Sequence, residues 1–177
     1  MLYVFFHRAA KHWPSPRVAT RQWDVYRRAK ISRWTKMLIG EPVHCSIGNH
    51  TYGILDSGPD GHRLYDFAGF VDECRTLTGW FEVEHDPPEV DLRPWSAHYR
   101  RRRWSYDAQL MLKYLTRGHF RVDDCVNVTR QVLMRRTICT PWAWKPAQVH
   151  FWLDAYGYPF FPAGPAARPD DGAGEDV

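Results

Sequence analysis

Apolar residues alternate with polar ones in several short runs of the chain and recur every three or four positions in others. This mixture predicts short strands together with amphipathic helices. Leu2 to His7 is an apolar run that predicts a strand, and Lys11 to Arg17, with two prolines, reads as loop. Thr20 to Lys36 predicts a helix, with Trp23, Tyr26, Lys30 and Trp34 at helical spacing and Thr20 as its cap. Its many Arg and Lys read as a solvated face. From Pro42 to Ser57 the pattern is that of a β-hairpin: Val43, Cys45 and Ile47 alternate with His44, Ser46 and Gly48, Gly48-Asn49-His50 makes the turn, and Tyr52 to Ser57 returns.

Gly58-Pro59-Asp60-Gly61 reads as a further turn, His62 to Phe70 as room for one more short strand, and Trp80 to Glu84 as a half-buried strand. Three prolines between Asp86 and Pro94 make that stretch a loop. Ser105 to Arg117 predicts a second helix, capped by Ser105, with Leu110, Tyr114 and Leu115 inward and Gly118 as its stop. A polar loop then turns into a helix that starts near Cys125 and runs to about Arg135, with Asp123 or Asp124 as its N-cap. Val128 and Val132 lie at helical spacing from Cys125, so the thiol opens the inward stripe. Thr140-Pro141 leads into a helical stretch, Trp142 to Tyr156, that Pro146 interrupts or kinks. Residues 1–161 therefore read as one α+β domain with a small antiparallel sheet packed against helices. Residues 162–177 are Pro, Ala, Gly and Asp with almost no apolar bulk, and predict a disordered tail.

Composition narrows this picture only slightly. A length of 177 residues suits one domain with a real core, and 44% hydrophobic with 25% charged residues is ordinary for a globular protein. Nine Trp within an aromatic fraction of 15% point to a core built on large rings. A net charge of +4 permits an anionic partner without demanding one. Four cysteines (45, 74, 125 and 139) show no C-x-x-C and no paired spacing, so neither a disulfide framework nor a zinc ribbon is expected. The N-terminal apolar run is too short for a signal peptide, and no stretch is long enough to span a membrane. Cytoplasmic synthesis follows as the expectation, with the host-cell cytoplasm or the virion as destinations for a phage-encoded chain.

The candidate chemistry centres on Cys125. A thiol in the first turn of a helix feels the positive end of the helix dipole, which favours thiolate, while the two neighbouring aspartates oppose it. A nucleophilic cysteine also needs a base. His44 is the candidate, since its strand alternation sets it on the face opposite Val43 and Cys45 and on the same side as Ser46. Asp56, on the returning strand, is placed to hold the imidazole in one tautomer and to stabilise imidazolium. Taken singly, such a cysteine is usually a small buried hydrophobe and such a histidine a structural residue. The order strand histidine, strand carboxylate, helix cysteine is what raises the pair.

His44-Cys45-Ser46-Ile47-Gly48 and Gly53-Ile54-Leu55-Asp56-Ser57 resemble the histidine strand pair of the NlpC-like papain superfamily, and Asp124 to Leu133 resembles its cysteine helix. The order of histidine before cysteine is similar to the circularly permuted branch, which includes lecithin retinol acyltransferase-like enzymes and permuted bacterial and phage amidases. Thr140-Pro141 after the cysteine helix is similar to the phage and bacterial members. The resemblance covers about residues 30–150. It implies a papain-like fold, Cys125 as nucleophile, His44 as base and Asp56 as third member, acting on a peptide or other amide substrate through a thioester, with no cofactor. The asparagine that often precedes the cysteine in the acyltransferase branch is Asp124 here, which favours a peptidase or peptidoglycan-type amidase over an acyltransferase. The oxyanion would be held by the Cys125 amide and a second donor, for which Ser46 and Tyr65 are the candidates.

Three readings from other classes remain open at this level. His44, Cys45, His50, His62 and Cys74 are soft ligands within a short span, but their spacings match no zinc pattern and no metal is expected. Arg100, Arg101, Arg102 and Arg103 form a basic run beside Trp104 that suits nucleic-acid phosphates, an acidic protein partner or a solvated turn. A non-catalytic structural or interaction protein on the same fold is the third.

Overall fold

The computed structural model describes residues 1–9, 33–58, 61–73, 76–83, 90–96 and 103–164. In chain order the elements are β1 (Tyr3–His7), α1 (33–39), β2 (His44–Asn49), β3 (Gly53–Gly58), β4 (Gly61–Tyr65), α2 (Phe67–Glu73), β5 (Leu77–Glu82), α3 (Arg93–Ser96), α4 (Arg103–Leu115), α5 (Cys125–Arg135), α6 (Pro146–Ala155) and β6 (Phe160–Pro162). The chain is thus α+β, and its six strands form one antiparallel sheet in the order β4-β3-β2-β1-β5-β6.

The sheet buries both faces in its middle, which is why β1 is apolar at nearly every position. Val4 and Phe6 join Cys45, Ile47, Leu55 and Phe81 on one face, where Val126, Val128, Val132 and Leu133 of α5 and Val149 and Leu153 of α6 complete the main core. Phe5, Ile54 and Leu77 point to the other face and meet Tyr3, Phe67, Phe70 and Trp80. A third cluster, Ile39, Tyr106, Leu110, Tyr114 and Val122, with Trp144 against it, secures α4. Helix α5 packs across β2 and β3.

The expected hairpin is present with its turn moved. The strand β2 runs through Asn49, whose carboxamide accepts from the Tyr52 amide (2.7 Å) and donates to the Val90 carbonyl (3.0 Å). The turn is His50 to Tyr52, and Gly53 leaves it at φ +87°. A Cβ there would sit 2.2 Å from the Tyr65 carbonyl oxygen, so the position accepts only glycine.

Other expectations need correction. The stretch from His62 does carry a short strand, β4, but Phe67–Glu73 after it is helical, because Asp66 accepts from the Gly69 amide and opens α2. Pro146 does not interrupt a helix but begins one. It stands at the first helical position, where its missing N–H costs nothing, and Gln148 accepts from the Trp144 and Lys145 amides before it. Helix α4 starts two residues before Ser105, and Leu115 is 68% exposed, because only Leu110 and Tyr114 of the expected stripe face the core. Gly118 does stop that helix, at φ +87°, with its amide on the Lys113 carbonyl. In α1 the inward positions are Thr35 and Ile39, whereas Trp34 is exposed. Residues 20–32 of the expected first helix, the arginines at 100–102 and residues 165–177 of the expected tail lie outside the described residues, as do the Arg103 and Ser105 side chains. Composition places the start of the tail at residue 162, yet Pro162 pairs with Gly79 in the sheet, and the Ala163 amide bonds the Thr78 carbonyl.

Candidate active site

The site forms where the β2–β3 ladder ends. Pairing runs from Asn49↔Gly53 to Ile47↔Leu55 and stops, so Cys45 and His44 on β2 and Asp56 and Ser57 on β3 lie beyond it. The start of α5 comes to this open end. Cys125 is the first residue of the helix, 5% exposed, and belongs to the main core.

Asp124 is the N-cap: its Oδ1 accepts from the Asn127 amide at 3.1 Å, and its extended backbone turns the chain into the helix. The other carboxylate oxygen, Oδ2, receives Lys113 Nζ from α4 at 2.5 Å. Asp124 is wholly buried and Lys113 nearly so, which makes this an interior ion pair. Burial raises the Asp124 pKa, and Lys113 opposes that rise. Asp123 accepts from Asn127 Nδ2 (3.2 Å) and pairs with His62 Nε2 of β4 (3.0 Å). The helix start is therefore held by α4 through Lys113 and by β4 through His62.

His44 Nε2 is hydrogen-bonded to Asp56 Oδ1. Its ring also lies in hydrogen-bonding reach of the Cys125 sulfur, which leaves Nδ1 for the thiol. Burial works against the His44 cation, but the charges of Asp56 and Cys125 and the hydrogen bonds to both hold its pKa well above the ordinary imidazole value. The Cys125 pKa is well below the ordinary thiol value. The Cys45 thiol hydrogen bond lowers it most, burial opposes, and the charge and hydrogen bond of His44 and the Cys45 backbone amide lower it further. Cys45 moves the other way, raised by burial and by its bond to Cys125, and its sulfur also lies 3.6 Å from Thr129 Oγ1. Thiolate at Cys125 with imidazolium at His44 is the charge state this arrangement favours.

Behind His44 stands His7, with ring centroids 5.3 Å apart. Burial first, then the His44 charge, holds the His7 pKa down at about 3 against the pull of Asp56, so His7 stays neutral. Its Nε2 is 3.0 Å from Ser46 Oγ.

The structure thus brings together Cys125, His44 and Asp56. Of the two expected oxyanion donors, Ser46 is buried with its hydroxyl on His7, and Tyr65 packs against Phe70 on the α2 face of the sheet. Of the soft ligands weighed for a metal, His44 goes to Asp56, His50 to Tyr3, His62 to Asp123 and Cys45 to Thr129, while Cys74 lies outside the described residues. Among the described residues no group of three or more His, Cys, Asp or Glu is placed to hold a metal ion, and no helix is long and apolar enough to cross a membrane. Sequence reasoning missed His7, His62, Lys113 and the contact of Cys45 with Cys125. The one available signal was the placement of Lys113 one helical turn from Leu110 and beside Tyr114, on an inward face where a lysine needs a partner.

Comparison of the chain with known protein families, with curated proteins and with solved structures gives no match.

Proposed function

We propose that the protein is a thiol hydrolase that cleaves an amide bond, of the peptidase or peptidoglycan-amidase kind, on a circularly permuted papain-like fold. The observation that carries this reading is the unbroken chain from Asp56 through His44 to a thiol at a helix start. Each member has a chemical part. Asp56 fixes the imidazole through Nε2 and stabilises its cation. His44 holds the Cys125 proton, so the nucleophile is thiolate before substrate arrives. The Cys125 sulfur attacks the carbonyl carbon, and the negative charge that grows on the oxygen meets the Cys125 backbone amide and the positive end of α5. His44 then gives its proton to the leaving amine as the C–N bond breaks and a thioester forms. Water, deprotonated by His44, releases the acid and restores the thiolate.

The test is the rate at which a small electrophile such as iodoacetamide labels each cysteine, read by mass spectrometry. Cys125 lies on the tryptic stretch Val122–Arg130, well separated from Cys139, which is exposed and serves as the comparison cysteine in the same tube. Cys125 is expected to label faster than Cys139 at and below neutral pH despite its burial. His44→Ala should slow Cys125 about 10- to 100-fold near neutral pH, as expected when a thiol returns to a pKa near 8.5. Labelling of Cys139 ahead of Cys125, or a Cys125 rate indifferent to His44→Ala, would refute the assignment.

A further inference from the structure

We propose that Cys45 is a resolving thiol for Cys125, so that peroxide converts the pair to a Cys45–Cys125 disulfide and switches the site off reversibly. The inference rests on the reading of Cys125 as a reactive thiol and extends it to regulation.

The geometry comes from the strand and the helix together. Alternation along β2 turns Cys45 toward α5, opposite in direction to His44. Its sulfur is 3.6 Å from Thr129 Oγ1, and Thr129 lies four residues after Cys125, one turn along the same helix face. The Cys45 thiol and backbone amide both reach the Cys125 sulfur. Cys45 itself is 0% exposed, whereas Cys125 is 5% exposed and lies beside His44, whose side chain is 28% exposed and is the nearer to solvent. An oxidant therefore meets Cys125 first, and the activated sulfur that Cys45 then meets is the one Cys125 presents.

The steps balance. The Cys125 thiolate attacks one oxygen of hydrogen peroxide; an S–O bond forms, the O–O bond breaks, and the departing hydroxide takes the His44 proton to become water. Cys125 is now a sulfenic acid, oxidised by two electrons, and His44 is neutral. The Cys45 thiol passes its proton to the sulfenic oxygen, the Cys45 sulfur attacks the Cys125 sulfur, and the S–O bond breaks. The hydroxyl leaves with that proton as a second water, and the S–S bond remains. In sum two thiols and one peroxide give one disulfide and two waters. Reduction by a small thiol attacks the more accessible Cys125 sulfur and frees Cys45.

The experiment treats the full chain with hydrogen peroxide, blocks remaining thiols and digests without reductant. Trypsin cuts between the two cysteines, so the bond joins the stretch Met37–Arg63 to Val122–Arg130, absent one hydrogen from each sulfur. The expected result is that linked pair, together with loss of iodoacetamide labelling at Cys125 that dithiothreitol restores. Cys45→Ala, compared with its own reduced state, should instead lose Cys125 labelling irreversibly as sulfinic acid accumulates. The inference is overturned if the wild-type chain gives sulfinic acid without the linked pair, whether or not the variant folds. It also falls if Cys45→Ala recovers as the wild type does. A Cys125 that never labels in the reduced chain defeats the nucleophile assignment itself, and a Cys125 that labels but does not link defeats the disulfide alone.

Discussion

Replacing Lys113 with methionine tests whether the start of α5 is held by an interior ion pair. The change keeps most of the apolar stem and removes the charge that meets Asp124 Oδ2 at 2.5 Å. Asp124 is 0% exposed and keeps the Asn127 amide, so a carboxylate is left in the interior with one hydrogen bond and no cation. Breaking a buried pair from one side costs about 3–5 kcal/mol. At this chain length that is a fall in Tm of roughly 6–20 °C. The penalty depends on pH in a definite direction. Burial already lifts the Asp124 pKa above its ordinary 3.8, and without Lys113 it rises further. A carboxyl that binds its proton more tightly folded than unfolded makes stability fall as pH rises between the two values. The deficit of Lys113→Met should therefore shrink as the pH is lowered from about 8 toward about 5, in urea titrations run against the wild type. Asp124→Asn keeps an N-cap side chain without the charge. The double variant Lys113→Met, Asp124→Asn should recover more than half of the loss, as a coupled pair must. A single-variant cost under about 1 kcal/mol, or a deficit that grows on acidification, would show that the pair is not a buried ion pair.

Asp56→Asn leaves His44 hydrogen-bonded but removes the charge that most favours its cation; labelling of Cys125 should slow about tenfold near neutral pH and regain speed as the pH rises toward the ordinary thiol range, and an unchanged pH profile would contradict the role given to Asp56. Wild-type Cys125 should keep its labelling rate well below the pH range in which an ordinary thiol loses reactivity, because its pKa is held well below the ordinary thiol value. Gly53→Ala puts a methyl group 2.2 Å from the Tyr65 carbonyl at φ +87° and should cost at least about 1–2 kcal/mol in chemical denaturation; a neutral result would mean the hairpin does not approach β4 as described.

The parts of this architecture that depend on local pattern are readable in the chain. A continuous apolar run marks β1, alternation marks the β2–β3 hairpin, and spacing marks α5 from Cys125 to about Arg135. His44, Asp56 and Cys125 are legible because two lie on adjacent strands and the third at a helix start with a recognisable cap. What escapes a reading of the chain is set by tertiary partners. Lys113 looks like any helix lysine until Asp124 is found opposite it, and His62 until Asp123 is. Strand β6, Phe160 to Pro162, is only three residues long and exposed at each position, so no alternation marks it. The hairpin turn comes later than its residue types suggest because Asn49, a strong turn residue, uses its carboxamide to close the turn from the last position of β2.

The aspartates beside Cys125 bear on the electrostatics most directly. Two carboxylates at a helix start would disfavour a thiolate in the first turn if they acted as free charges. Here neither does. Asp124 is matched by Lys113 and spends its other oxygen on the Asn127 amide, and Asp123 is shared between His62 and Asn127. Their charges are each met by a partner, so the groups that face the sulfur outweigh burial and the remaining repulsion from Asp124. Those groups are the Cys45 thiol and amide and the His44 ring, and all three are available because the β2–β3 ladder stops at Ile47. Were the strands to pair further, the first step would set Ser46 opposite Asp56, the second Cys45 opposite Ser57 and the third His44 opposite Gly58, carrying all three into the ladder against β3. The break in pairing and the pairing of the aspartates are thus two halves of one device: the first brings donors to the sulfur, and the second keeps the neighbouring anions from cancelling them.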